Sequence, residues 1–240
     1  MATFGQADDL RGAEFVDADL RGARFVGADL TDVVMRGVDV LGAEIDSPWL
    51  FDGDRGLRVN GINVAPFVDA ELNRQFPGRE QRRAGDPAGL RAAWEVVEGA
   101  WARVLERVAA MPDGTVDKSV DGEWSFAQTL RHLVHATDVW LGRAILEREQ
   151  PFHPIGVSYD EKPSLTDNPS YAEVLEVRAG RVAMVRDFLG TVTPEDLATV
   201  RKNPHNPEIH VTTLHCLHTI LEEEWEHQRY AVRDLDTIEG

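Results

Sequence analysis

Over the first 46 residues the chain repeats every five positions, and that period constrains its fold more than any other feature. Large apolar side chains recur at Leu10, Phe15, Leu20, Phe25, Leu30, Met35, Val40 and Ile45. Two positions before each stands a smaller residue: Asp8, Ala13, Ala18, Ala23, Ala28, Val33, Val38 and Ala43. An amphipathic helix repeats every 3.6 residues and a half-buried strand every 2.0, so neither accounts for the series. A square coil with one five-residue side per repeat does, with the large residue pointing inward and the small one where walls crowd.

These repeats resemble the pentapeptide-repeat family over about residues 6–46, with the match weaker at the last three. The resemblance implies a right-handed quadrilateral β-helix with four repeats per coil. Eight repeats supply only about two coils. Long acidic members imitate DNA; two coils are too short for such a rod, so a small structural or dimerising module is expected. Residues 47–84 are read as its capping segment and a linker. "LRVNGINV" is a short strand, "APFVDAELNRQF" a short helix and "GREQRRAGDP" a polar linker.

From residue 85 the period changes to that of helices. Asp86-Pro87 is a helix start, an acidic cap followed by proline at the first helical position. Leu90, Trp94, Val97, Trp101, Val104, Leu105 and Val108 follow at helical spacing. Ser125 with Gln128 and Ser170 with Glu173 read as capping boxes opening the second and third helices. The second is "FAQTLRHLVHATDVWLGRAILERE" and the third ends near Gly190. Prolines 151, 154, 163 and 169 mark one long connection and "RKNPHNPEIH" another. A fourth helix runs from about Thr212 to Asp236. The fold class is therefore mixed but mainly α: a four-helix bundle over 85–240 behind the repeat module of 1–46.

Composition narrows the partners. The net charge of -17, spread along the chain, disfavours nucleic acid and anionic membranes. No apolar run approaches about 18 residues, so no membrane span is expected. Cys216 is the single cysteine and the N-terminus lacks the basic and apolar regions of a signal peptide, so a cytoplasmic protein is expected.

The fourth helix poses the chemical question. "LEEEWEHQRY" carries Glu223 and His227 four apart, on one helix face with Cys216 and Ile220. That face is otherwise apolar. A carboxylate buried there needs a cation, either a protonated His227 or a metal ion. Glu-x-x-x-His is a ligand pair at one-turn spacing. His132, among Leu130, Leu133 and Val134 on the second helix, is the candidate third ligand. Such a histidine is more often a core residue with its hydrogen bonds met.

"EWSFAQTLRHLVHATDVWL" and "LHTILEEEWEHQRYAVRDL" together resemble the DinB-like superfamily, four-helix bundles with a central metal site. Carried over residue by residue, the resemblance implies His132, Glu223 and His227 as metal ligands. Many members carry three histidines. Glu223 in the middle is similar to the branch of mycothiol-dependent maleylpyruvate isomerase and related thiol S-transferases.

The resemblance implies a divalent ion, zinc first, with nickel, manganese or iron(II) compatible. It implies mycothiol or a similar thiol as cosubstrate, a small electrophile as its partner, and a homodimer. The function read from it is S-transfer or isomerisation; metal-dependent hydrolysis and a non-catalytic, metal-stapled dimeric scaffold are the alternatives. His135, His218 and Arg229 are further candidates, for hydrogen bonding to the ligands or for holding substrate. Glu222, Glu224 and Glu226 are expected at the sides, mostly solvated or lying just outside the metal's ligands. Cys216 is expected to pack as a thiol, and Trp124 and Trp225 to pack or wall the site. Residues 151–156 are expected to overhang it, with His153 at the tip.

Overall fold

The computed structural model describes residues 3–5, 7–51, 53, 55–159 and 169–240. Pro163, one of the prolines expected in the long connection, lies outside the described residues. The chain divides into two compact units, Met1–Asp46 and Ser47–Gly240.

In the first unit the five-residue series becomes a ten-residue structural period. The carbonyls of Leu10, Leu20, Leu30 and Val40 each accept from the N–H three residues on. Asp9, Asp19, Asp29 and Asp39 brace those turns, each accepting from the N–H two residues on at 2.9–3.2 Å. Such short acidic side chains mimic a backbone turn. Gly12, Gly22 and Gly42 sit in the left-handed region at φ 73°, 73° and 74°, and Asp32 takes that place in the third turn.

The expected quadrilateral β-helix is not seen: the described residues of this unit form no strand. The apolar series from Leu10 to Ile45 is 44–63% exposed rather than turned inward. A coil buries its inward residues only against coils above and below it, and eight repeats provide few such neighbours.

The second unit begins with a hairpin, β1 (Arg58–Val59) against β2 (Ile62–Asn63), where one strand was expected. Helix α1 (Ala65–Gln75) follows. The bundle is then α2 (Pro87–Ala109), α3 (Phe126–Thr137), α4 (Tyr171–Thr191) and α6 (Thr213–Glu239), with a short α5 (Pro194–Ala198) before the last. Their starts follow local chemistry. Asp86 accepts from the N–H groups of Ala88 and Gly89, and the capping boxes at Ser125 and Ser170 form.

Helix α2 packs on α4 and α6, and α3 packs on the same two. Their apolar stripes form one core that includes Trp94, Val97, Leu133, Leu141, Val185, Leu217 and Trp225. Helix α3 continues without a break into a π-helical segment, Asp138–Ile145. The second proline-rich connection carries a hairpin, β3 (Val200–Lys202) with β4 (His210–Thr212). Among the described residues no helix is long and apolar enough to cross a membrane.

Residues 79–83 correct the expected polar linker. They form a 3-10 turn whose Arg79 and Arg82 are buried. Arg79 donates to Asp69 and Asn73 at 2.7 and 2.8 Å and meets Glu226 of α6 at 3.3 Å. Arg82 shares Asp69 at 2.7 Å, and both guanidiniums lie over the Phe51 ring. Buried charges persist only when paired, and here the pairing ties the segment before α2 to the last helix. Arg79→Ala should therefore lower unfolding free energy by roughly 2–3 kcal/mol, since Asp69 and Glu226 lose their shared cation. Urea denaturation checks this, and a fragment starting at Gly85 should be less stable than one starting at Ser47.

Candidate metal centre

Helices α3 and α6 bring three side chains to one point. Glu223 and His227, one turn apart on α6, project toward His132 on α3. The ligand-capable atoms of the three all lie within 4.8 Å of one another. The two imidazoles stack with ring centroids 4.6 Å apart. Trp124, just ahead of α3, closes one side at 4.7 Å from the His132 ring and 6.2 Å from that of His227. The Glu223 side chain is 30% exposed, so the opening lies on its side.

The outer nitrogens are already committed. His132 Nδ1 donates to the Val157 carbonyl at 3.2 Å. His227 Nδ1 donates to the Glu223 carbonyl at 3.0 Å. His132 is left with Nε2 for the centre, while His227 Nδ1 also lies 3.5 Å from Glu223 Oε2. His132 Nε2 then faces Glu223 Oε2 at 3.3 Å. One imidazole thus lies between two oxygen acceptors. A proton on each nitrogen satisfies that arrangement, and so does a cation between Nε2 and the carboxylate. Two imidazole nitrogens and one carboxylate oxygen suit a divalent transition ion, so the residues fit the expected group.

The electrostatics agree. Burial works to raise the Glu223 carboxyl pKa; the His132 hydrogen bond and the charges of His227 and His132 outweigh it and hold the group below its usual value. Burial drives His227 down to about 4 against the pull of Glu223, leaving a neutral ring at pH 7.

Of the two places expected for the acidic neighbours of Glu223, solvent is not the one they take: each is paired with an arginine. Glu222 pairs with Arg83. Glu224, almost wholly buried, pairs with Arg178 of α4. Glu226 meets Arg79 and, at 3.0 Å, Arg229. Three arginines from distant segments were invisible to a reading confined to the helix itself.

The other candidates divide. His135 stays outside the ligand set, its ring 6.5 Å from that of His132 and stacked on Phe152 at 5.3 Å. His218 faces the segment before α2, with Nε2 donating to the Ala84 carbonyl at 2.9 Å. Arg229 lies over the Tyr230 ring at 4.4 Å and is held by Glu226. Cys216 is fully buried and its thiol is pushed up to about 11 by burial, so it is no nucleophile. Trp225 packs in the core, while Trp124 walls the site.

Residues 151–157 lie along α3: Arg131 Nε donates to the Ile155 carbonyl at 2.8 Å, and the Val157 N–H donates to the Arg131 carbonyl. His153 is turned onto its own strap, its Nδ1 accepting from the Ile155 N–H at 3.2 Å. The Val157 carbonyl carried no signal in the sequence, because a backbone acceptor has no residue type. His205 was also passed over; its ring lies 5.4 Å from Trp140, near enough to the centre for its charge to bear on Glu223.

Two outcomes are expected. His132→Ala and His227→Ala should each weaken divalent-ion binding by roughly two orders of magnitude, whereas Glu223→His should still bind an ion; metal analysis after dialysis checks both. In the metal-free protein His227 stays neutral down to about 4, while in the unfolded chain it takes up a proton near 6.5. The unfolded state therefore binds more protons in that window, and stability should fall as pH drops from 6.5 to 4, by up to roughly 3 kcal/mol. Denaturant midpoints measured across that range check it.

Comparison with curated proteins and with solved structures gives no significant match. Eight copies of the pentapeptide repeat match residues 9–44. The pattern of the DinB superfamily matches residues 97–231, more than half of the chain, and includes all three residues of the centre. The chain belongs to the DinB superfamily.

Proposed function

We propose that the bundle is a metal-dependent enzyme that uses a low-molecular-weight thiol such as mycothiol, for S-transfer to a small electrophile or for its isomerisation. The observation that carries the reading is the convergence, among the described residues, of three ligand-capable atoms from two helices on a point open beside Glu223. Superfamily members typically bind a divalent metal, and Glu223 in place of a middle histidine supports the thiol-using branch. Bound there, the ion supplies Lewis acidity that lowers the pKa of a coordinated thiol or water. Zinc is the ion we favour, since two imidazoles and a carboxylate are among its common ligand sets.

The chain's own groups have distinct parts in this proposal. His132 and His227 hold the ion as neutral donors, their rings aimed by the carbonyls of Val157 and Glu223. Glu223 offsets one unit of its charge. Trp124 excludes water from one flank. Cys216 takes no part, being buried and held protonated.

Within the same reading, the protein is cytoplasmic. Residues 1–46 close into a quadrilateral β-helix in a homodimer, where the apolar series from Leu10 to Ile45 is covered. Light scattering tests the last point: a dimer is expected for the full chain and a monomer for a fragment starting at Ser47.

The catalytic test pairs mycothiol with monochlorobimane. The zinc-loaded protein should form the adduct faster than the uncatalysed reaction, Glu223→Gln should slow it at least tenfold, and Cys216→Ser should leave it unchanged. No acceleration by fully loaded protein with any small thiol would turn the reading toward hydrolysis by the same ligands.

A further inference from the structure

One buried carboxylate stands outside the centre and outside the arginine pairs around it. Asp138 is fully buried at the first residue of the π-helical segment of α3. Its Oδ1 accepts from Arg181 Nε of α4 at 2.6 Å and its Oδ2 from Arg181 Nη2 at 3.1 Å. Oδ2 accepts a further hydrogen bond, at 2.9 Å, from the backbone N–H of His153. That third partner satisfies a lone pair that a buried carboxylate cannot leave empty, and it comes from outside the helices, from the segment 151–157. The π segment matters here too, because an extra residue in a helical turn re-aims the side chains that follow, and such segments occur at functional sites.

His153 opens the strap that reaches Val157. From Asp138 the contacts run through the His153 N–H, along the 151–157 backbone held by Arg131, to the Val157 carbonyl on His132 Nδ1. We propose that Asp138 is a positioning residue of the metal centre: it anchors this strap across α3, and the strap fixes the ring and tautomer of His132. A ligand histidine whose outer nitrogen is held in this way presents its inner lone pair in one direction, and loss of such a hold typically weakens metal binding about 10–100-fold. The proposal rests on the metal-centre reading. It goes beyond it by assigning a role to a residue that touches neither ion nor substrate.

The test compares two variants of the full chain. Asp138→Asn removes the charge that Arg181 and the His153 N–H share. Arg181→Lys disturbs the same ion pair while leaving Asp138 to hold the strap. Zinc affinity is measured by competition with a chromophoric chelator. The exchange of the His132 Nδ1 proton with water is followed by NMR in the zinc-loaded protein. Asp138→Asn should weaken zinc binding about 10–100-fold and speed the exchange at least tenfold. Arg181→Lys should leave both within about twofold.

Wild-type affinity and exchange in Asp138→Asn would overturn the proposal. So would equal losses in both variants, which would mark the pair as a fold element only. Should Asp138→Asn not fold, the wild-type protein decides: zinc should raise hydrogen-exchange protection of the His153 amide at least tenfold, and an unchanged amide would overturn the link. Wild-type protein that takes up no zinc would sink the metal-centre reading itself, and the proposal with it.

Discussion

Everything around the centre depends on the placement of one carboxylate between two imidazoles. Glu223 Oε2 lies 3.3 Å from His132 Nε2, while the opposite nitrogen of that ring is spent on the Val157 carbonyl. An imidazole flanked by two oxygen acceptors needs either a proton on each nitrogen or a cation between Nε2 and the carboxylate, and a divalent cation would make all three side chains ligands of one ion. Bundle geometry makes this possible. A ligand pair at i and i+4 needs only one helix, and a third ligand needs only that the facing helix be held in register.

That register is expensive to hold, because α6 carries four glutamates in five residues beside Trp225. The three other than Glu223 each meet an arginine from outside the helix: Arg83 and Arg79 of the 3-10 turn pair with Glu222 and Glu226, and Arg178 of α4 pairs with Glu224. These pairs turn like-charge repulsion into a set of ties on the ligand helix. Single buried pairs often add little net stability, but removing one partner leaves a charge stranded. The ties therefore fix which face of α6 meets α3 more than they add to the fold's free energy. Residues 79–83 join the bundle's unit for that reason, although their composition reads as linker.

Local rules made much of the bundle legible in advance. Asp86-Pro87, Ser125 with Gln128, and Ser170 with Glu173 each state a helix start in the residues themselves. Their apolar spacing places the buried faces of α2 and α3, and the Glu223–His227 spacing places two candidate ligands. His132 needed the family resemblance, since a histidine among leucines looks the same whether it ligates or packs. What stayed hidden was either non-local or without a residue code. The arginine partners of Glu222, Glu224 and Glu226 come from elsewhere in the chain, and the acceptors that aim the histidines are backbone carbonyls. The π segment after Thr137 follows no local signal. The repeats of the first unit were legible as a period, yet a period does not say whether two coils suffice to bury it; Leu10, Phe15 and their successors stand exposed.

The most direct measurement is X-ray absorption at the metal edge of the zinc-loaded protein. A centre built from His132, Glu223 and His227 predicts two imidazole nitrogens at about 2.0–2.1 Å and carboxylate or water oxygens at about 2.0–2.2 Å. It predicts no sulfur shell until a thiol is added, when one sulfur should appear at about 2.3 Å. A spectrum without imidazole scattering, or with sulfur already bound in the absence of added thiol, would contradict the account.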